Sequence, residues 1–154
     1  MPSRHRGGGG LHGTLVREAM STPIVTCTPG TSLRDVAARM TGHGVHSVVV
    51  LQPDRPDAAP AHRRWGVLSD VDLVSAAPWD ESDADAGSVA ASPQAVVGPD
   101  ETLAAAAHLM SEYRTAHLLV AEEGRDEPVG IISALDVATA LARAKEPPRA
   151  SARA

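Results

Sequence analysis

Residues 92–120 can be written under residues 22–50 without a gap, and the two stretches match at a constant offset of 70. Thr22-Pro23 falls on Ser92-Pro93, Pro29 on Pro99, Leu33 on Leu103, Ala37 on Ala107, Met40 on Met110 and Val50 on Val120. Beyond that point the offset becomes 64. Gly66-Val67-Leu68-Ser69 then falls on Gly130-Ile131-Ile132-Ser133, and Asp72 on Asp136. The six-residue difference is confined to residues 51–65 against 121–129, a Pro/Asp/Gly-rich stretch of the kind a surface loop tolerates. A chain that repeats itself in this way is built from two similar units.

Each unit reads in the same order. A short apolar segment follows a proline (Ile24-Val25-Thr26; Ala95-Val96-Val97). A helix follows, with apolar residues on one face at Leu33, Val36, Ala37 and Met40, matched by Leu103, Ala106, Ala107 and Met110. Ser32 with Asp35 has the spacing of a capping box for the first of these helices. The runs Ser47–Leu51 and His117–Val120 are nearly continuously apolar, as expected of strands covered on both faces. A second strand (Trp65–Leu68; Val129–Ile132) and a last helix, from Val71 and from Leu135, close each unit. Short lead-in helices are expected at Leu15–Met20 and Ser88–Ala91.

The predicted fold class is therefore α/β (α+β), with two β-α-β-β-α repeats. A sheet of about three strands with helices on one face leaves its other face open, so the two copies are expected to pack sheet to sheet with pseudo-two-fold symmetry. The expected divisions are an N-terminal tail over 1–13, repeat 1 over 14–77, an acidic linker over 78–86, repeat 2 over 87–145 and a C-terminal tail over 146–154, with both tails disordered.

Composition closes off several functions. The only aromatics are one Tyr and two Trp, so a surface that stacks single-stranded bases is not expected, and a net charge of −5 counts further against nucleic acid. One cysteine, Cys27, excludes a disulfide framework or a cysteine-based zinc finger. No apolar run reaches the ~18 residues of a membrane span, and no secretory signal opens the chain, so a cytoplasmic protein without a membrane partner is expected. There is no Gly-x-Ser-x-Gly elbow, Cys/His signature or Walker A run, so no enzyme is expected.

Two copies of this series, ending in Gly66-Val67-Leu68-Ser69-Asp70-Val71-Asp72 and Gly130-Ile131-Ile132-Ser133-Ala134-Leu135-Asp136, resemble a tandem pair of CBS domains, a Bateman module. The lead-in Val16-Arg17-Glu18-Ala19-Met20-Ser21-Thr22-Pro23 adds to the likeness, which covers about residues 14–144. The resemblance implies regulation rather than catalysis. It implies an adenosine-containing ligand (AMP, ADP, ATP or S-adenosylmethionine) in clefts between the repeats, with no required cofactor, and pairing into a homodimer. Because the pair takes up the chain, it also implies an effector protein that is a separate polypeptide.

The resemblance also nominates the residues. Ser69 with Asp72, and Ser133 with Asp136, open a helix at the end of a strand, where hydroxyl and N–H groups meet a phosphate and a carboxylate can accept from ribose hydroxyls. The same spacing is also an ordinary capping box. His46, within Val45-His46-Ser47, matches a phosphate-reaching position at the start of the middle strand. Its repeat equivalent is Ala116, with His117 one step later, so the two histidines should face opposite ways and the two clefts should differ. Arg114, with Thr115 before the second middle strand, is a candidate phosphate partner or a solvated loop cation. Thr22-Pro23-Ile24 and Ser92-Pro93-Gln94 match the segment that reads the adenine edge, or are simple strand starts. Two other readings stay open: a scaffold of the same fold that has lost its ligand, and a metal-linked stress protein using some of the seven histidines.

Overall fold

The computed structural model describes residues 10–51, 65–76, 84–91, 95–125 and 127–144. The elements run α1 (Val16–Ala19), β1 (Thr26–Cys27), α2 (Leu33–His43), β2 (Ser47–Leu51), β3 (Trp65–Ser69), α3 (Asp70–Ala76), α4 (Ala86–Val89), β4 (Val96–Val97), α5 (Leu103–Tyr113), β5 (His117–Ala121), β6 (Pro128–Ser133) and α6 (Ala134–Arg143). They form two three-stranded sheets, ordered β1-β2-β3 and β4-β5-β6. In each, the first pairing is parallel and the second antiparallel. Thr26 stands opposite Val49 in one sheet as Val96 stands opposite Leu119 in the other, so register as well as order repeats.

The continuous apolar strands have two jobs, and alternation divides them. Val48 and Val50 point to the helix side with Val36, Met40 and Leu68, while Val49 points the other way. Likewise Leu118 and Val120 join Leu103, Ala106, Met110 and Ile132, while Leu119 turns to the opposite face. Val49, Leu119 and Ile131 meet in a third cluster, with Ile24, Trp65, Val67 and Val96 packed around them. That cluster is the seam where the open faces of the two sheets cover each other.

The helices start where their caps allow. Ser32 Oγ accepts from the Asp35 N–H at 3.1 Å, and Thr102 Oγ1 accepts from the Ala105 N–H at 3.2 Å. The N–H groups of Leu103 and Ala104 find partners outside the helix, donating to the carbonyls of Thr14 (2.9 Å) and Leu11 (3.0 Å). Leu11, placed with the N-terminal tail on sequence grounds, packs against the second core.

The lead-in segments depart most from the sequence reading, because each docks on the other unit. Val16 of α1, fully buried, belongs to the core of β4–β6 and α5, whereas Ala86 of α4, also fully buried, belongs to the core of β1–β3 and α2. The backbone follows the same exchange. Val16 and Arg17 donate to the carbonyls of Glu101 and Pro99, and Ala86 and Gly87 donate to those of Thr31 and Pro29. Ser21 then exchanges hydrogen bonds with Ile131 on the edge strand β6, as Ala91 does with Val67 on the edge strand β3. The glycine that opens each Gly-aliphatic-aliphatic-Ser motif makes room for this crossing. A Cβ on Gly66 would lie 3.0 Å from Ala90 Cβ, and one on Gly130 would lie 3.1 Å from the Ser21 carbonyl. Each half is thus completed by a segment that precedes the other. Asp85 and Ala86, assigned to the linker on sequence grounds, cap and begin α4.

Candidate functional site

The end of β3 with the start of α3 lies across the seam from the turn between α5 and β5. Between them is a cavity of about 410 Å³ whose walls include Val67, Ser69, Asp70 and Asp72 from one repeat and Arg114, Thr115 and His117 from the other. Ala91, Ala95, Ala116, Leu118 and Leu119 supply small and apolar surface around these groups. An apolar pocket with a few convergent polar groups at a junction of units is the usual form of a small-molecule site.

The first-repeat wall is built by a reciprocal cap. The Ser69 N–H and Oγ–H both donate to Asp72 Oδ2, at 2.8 and 2.9 Å, and the Asp72 N–H donates back to Ser69 Oγ at 3.3 Å. Ser133 and Asp136 make the same three bonds, at 2.7, 2.8 and 3.2 Å. Capping is therefore realised in both repeats. It uses Oδ2 of each aspartate, and Asp72 is also a lining residue of the cavity.

The second-repeat wall is built by a left-handed turn. α2 ends at Gly44 with φ 64° and ψ 35°, an ordinary glycine cap. At the equivalent position α5 ends at Arg114 with φ 51° and ψ 47°. A non-glycine residue there costs about 1–2 kcal/mol, because Cβ crowds the following carbonyl. Past the turn, Val45 packs into the first core, whereas its equivalent Thr115 lines the cavity and donates its hydroxyl to the His117 carbonyl at 3.0 Å. The second repeat thus presents Arg-Thr-Ala-His where the first has Gly-Val-His-Ser.

The two histidines play different parts. His46 Nδ1 lies 2.8 Å from Asp70 Oδ2, and this hydrogen bond is the main reason the Asp70 carboxyl sits below its ordinary range. His117 faces the seam, and burial pushes its pKa down, only partly offset by the nearby carboxylates of Asp70, Asp136 and Asp72. A histidine held neutral in the fold is protonated more readily in the unfolded chain. The stability it contributes is present above about pH 6.5 and is lost as pH falls from there toward the lowered folded value. Urea midpoints measured at pH 7.5 and pH 5.5 should therefore fall less in His117→Gln than in the parent. An equal fall in both proteins would contradict this assignment.

The structure brings together Ser69, Asp72, Arg114, Thr115 and His117 of the nominated residues. His46 joins them through Asp70. Thr22 and Pro23 are exposed, and Ile24 packs in the seam cluster. Val45 turns into the core and away from the cleft. Asp136 lines a different cavity, of about 360 Å³, with Glu18, Thr139 and Arg143, formed because α1 docks beside α6. Ser92, Pro93 and Gln94 lie outside the described residues. Asp70 and Ala116 are cavity residues that the sequence reading missed. The signal was present in the repeat itself: His46 and Asp70 are both polar in the first unit, and their equivalents Ala116 and Ala134 are both alanine.

The CBS domain family model matches the sequence twice, over residues 16–78 and 86–143. No curated protein matches it significantly. Among solved structures, the CBS domain protein PAE2072 from Pyrobaculum aerophilum, complexed with AMP, superposes with a TM-score of 0.67 at 25% identity, over 83% of this chain and 98% of that one. The CBS domain pair of protein MJ0100, in complex with 5′-methylthioadenosine and S-adenosyl-L-methionine, gives 0.72 at 19% identity, over 86% and 98%. The hexameric CBS-CP12 protein from bloom-forming cyanobacteria gives 0.68 at 21%, over 80% and 69%.

Proposed function

The chain belongs to the CBS-domain family, as a tandem pair, and from that premise we propose that it is a regulatory module that binds an adenosyl ligand in the cleft between its repeats and signals to a separate effector protein in the cytoplasm. The observation that carries this reading is the cavity itself, where the Ser69–Asp72 helix start of one repeat faces the Arg114–His117 turn of the other. The AMP carried by the Pyrobaculum aerophilum relative supports the choice of ligand class. In this reading the Asp72 carboxylate accepts from the ribose hydroxyls. Arg114 meets an anionic group, and the alanines admit the flat base. A ligand can signal only by favouring one arrangement of the repeats over another.

Arg114 is the sharpest test of the reading. A residue kept in a costly conformation at a cleft points to a role its side chain fills. Arg114→Gly is expected to stabilise the unliganded protein by about 0.5–1 kcal/mol, the left-handed strain being relieved at some entropic cost. The same change should weaken AMP binding at least about tenfold by calorimetry, the cost of losing one charge-assisted contact. A stabilised variant that binds AMP as the parent does would remove Arg114 from the site. Absence of binding by the parent to any adenosyl compound would favour the scaffold alternative.

Self-association is part of the proposal. Val71 and Val74 on α3 are 68% and 72% exposed, and Leu135 and Leu141 on α6 are 64% and 55% exposed. Val71 and Leu135 occupy equivalent repeat positions, so a two-fold partner would cover both helices with one self-complementary surface. Val74→Glu combined with Leu135→Glu is expected to convert a dimer to a monomer in light scattering while leaving the circular dichroism spectrum unchanged. A parent protein that is already monomeric at about 100 μM would contradict the dimer.

A further inference from the structure

We infer that the cleft selects adenosyl ligands carrying a single anionic group and discriminates against nucleoside di- and triphosphates. This rests on the functional reading above and narrows it. The charged groups on the cavity wall are Asp70, Asp72, Arg114 and His117. Asp70 is ionised, with its carboxyl held low by His46 at 2.8 Å, and His117 is kept neutral by burial. Two carboxylates, one of them hydrogen-bonded to His46, therefore share the described lining with one guanidinium.

The lining described is thus short of positive charge. Arg114 can satisfy one phosphate or one carboxylate with paired N–H donors. A second or third phosphate would meet Asp70 or the edge of the apolar seam, where no lysine or arginine of the described lining waits for it. Like charges brought close repel, and at low salt that repulsion is only weakly screened. The size agrees, because about 410 Å³ is near the low end of the range for small-molecule sites. Arg114, the one guanidinium of the described lining, sits in a left-handed turn, so it is a specific provision rather than part of a basic patch.

The test is titration calorimetry of the full chain with AMP, S-adenosylmethionine, ADP and ATP, without divalent cations, at about 50 mM salt so that screening stays weak. AMP or S-adenosylmethionine should bind at least tenfold more tightly than ATP. Asp70→Asn, which keeps the side chain's shape and removes its charge, should narrow the gap between AMP and ATP at least threefold. ATP binding equal to or tighter than AMP, or an unchanged gap in Asp70→Asn, would overturn the inference and leave the adenosyl reading standing. If none of the four compounds binds, both fall together. A control at 500 mM salt should also shrink the gap, because the discrimination is electrostatic.

Discussion

Val16→Asp is expected to collapse the second repeat, although residue 16 lies far upstream of Val97, where that repeat's first strand ends. The Val16 side chain is fully buried among Val97, Leu103, Ala106 and Leu118. An unpaired carboxylate in that position ranks with the most damaging substitutions, at about 4 kcal/mol or more. Against a typical domain stability of about 5–15 kcal/mol, that leaves little. The distribution of the damage is the distinctive part. Amide hydrogen exchange should accelerate first at Leu118, Leu119 and Val120, and only later at Val48, Val49 and Val50. Damage confined to the first repeat would mean that α1 packs on its own unit.

Gly87→Val should do the reverse. Gly87 belongs to α4, and a Cβ there would lie 2.8 Å from Pro29 Cβ and 3.2 Å from the Pro29 carbonyl oxygen. A proline ring cannot swing aside, so α4 has to lift off the first repeat and expose Ala86. Overpacking of this kind costs about 1–3 kcal/mol, and uncovering the edge of the core adds to it. The loss should appear in urea melts as a lower midpoint, with exchange in β2 accelerated before β5. Gly42→Ala supplies the contrast: it sits in α2 with open space around it, so it should be neutral or stabilising by up to about 1 kcal/mol. Were Gly87→Val as stable as the parent, the reciprocal docking would be wrong at that end.

Why the sequence announced the strands and not the docking follows from what each signal measures. Val48-Val49-Val50 and Leu118-Leu119-Val120 say through their continuity that both faces are covered, and the structure covers them with helices on one side and the facing sheet on the other. Nothing in Val16 or Ala86 says which of two similar cores it fills, because near-identical cores are a consequence of the duplication. The glycines at 66 and 130 carried the missing information. They are the same motif position in both units, and each is small because a neighbour's lead-in passes against it. The lining of the cleft was legible where chemistry and position coincide, at Ser69, Asp72, Arg114, Thr115 and His117. It was misplaced where burial decides, as at Val45, whose position in the series is that of Thr115 but whose side chain has nothing polar to offer the cleft. The inequivalence expected from the offset between His46 and His117 is visible in the geometry. One binds Asp70 at the surface, and the other faces the seam.

The most direct test of the cleft is an amide chemical-shift titration of the isotopically labelled chain with AMP. Resonances of Val67, Ser69, Asp70, Arg114, Thr115, Ala116 and His117 should move together along one saturating curve, while those of Glu122–Arg125, at the opposite end of β5, stay in place. Movement centred on Glu122–Arg125, or on the α1–α6 cavity around Asp136 and Arg143, with the Ser69 and Arg114 signals unmoved, would contradict the account.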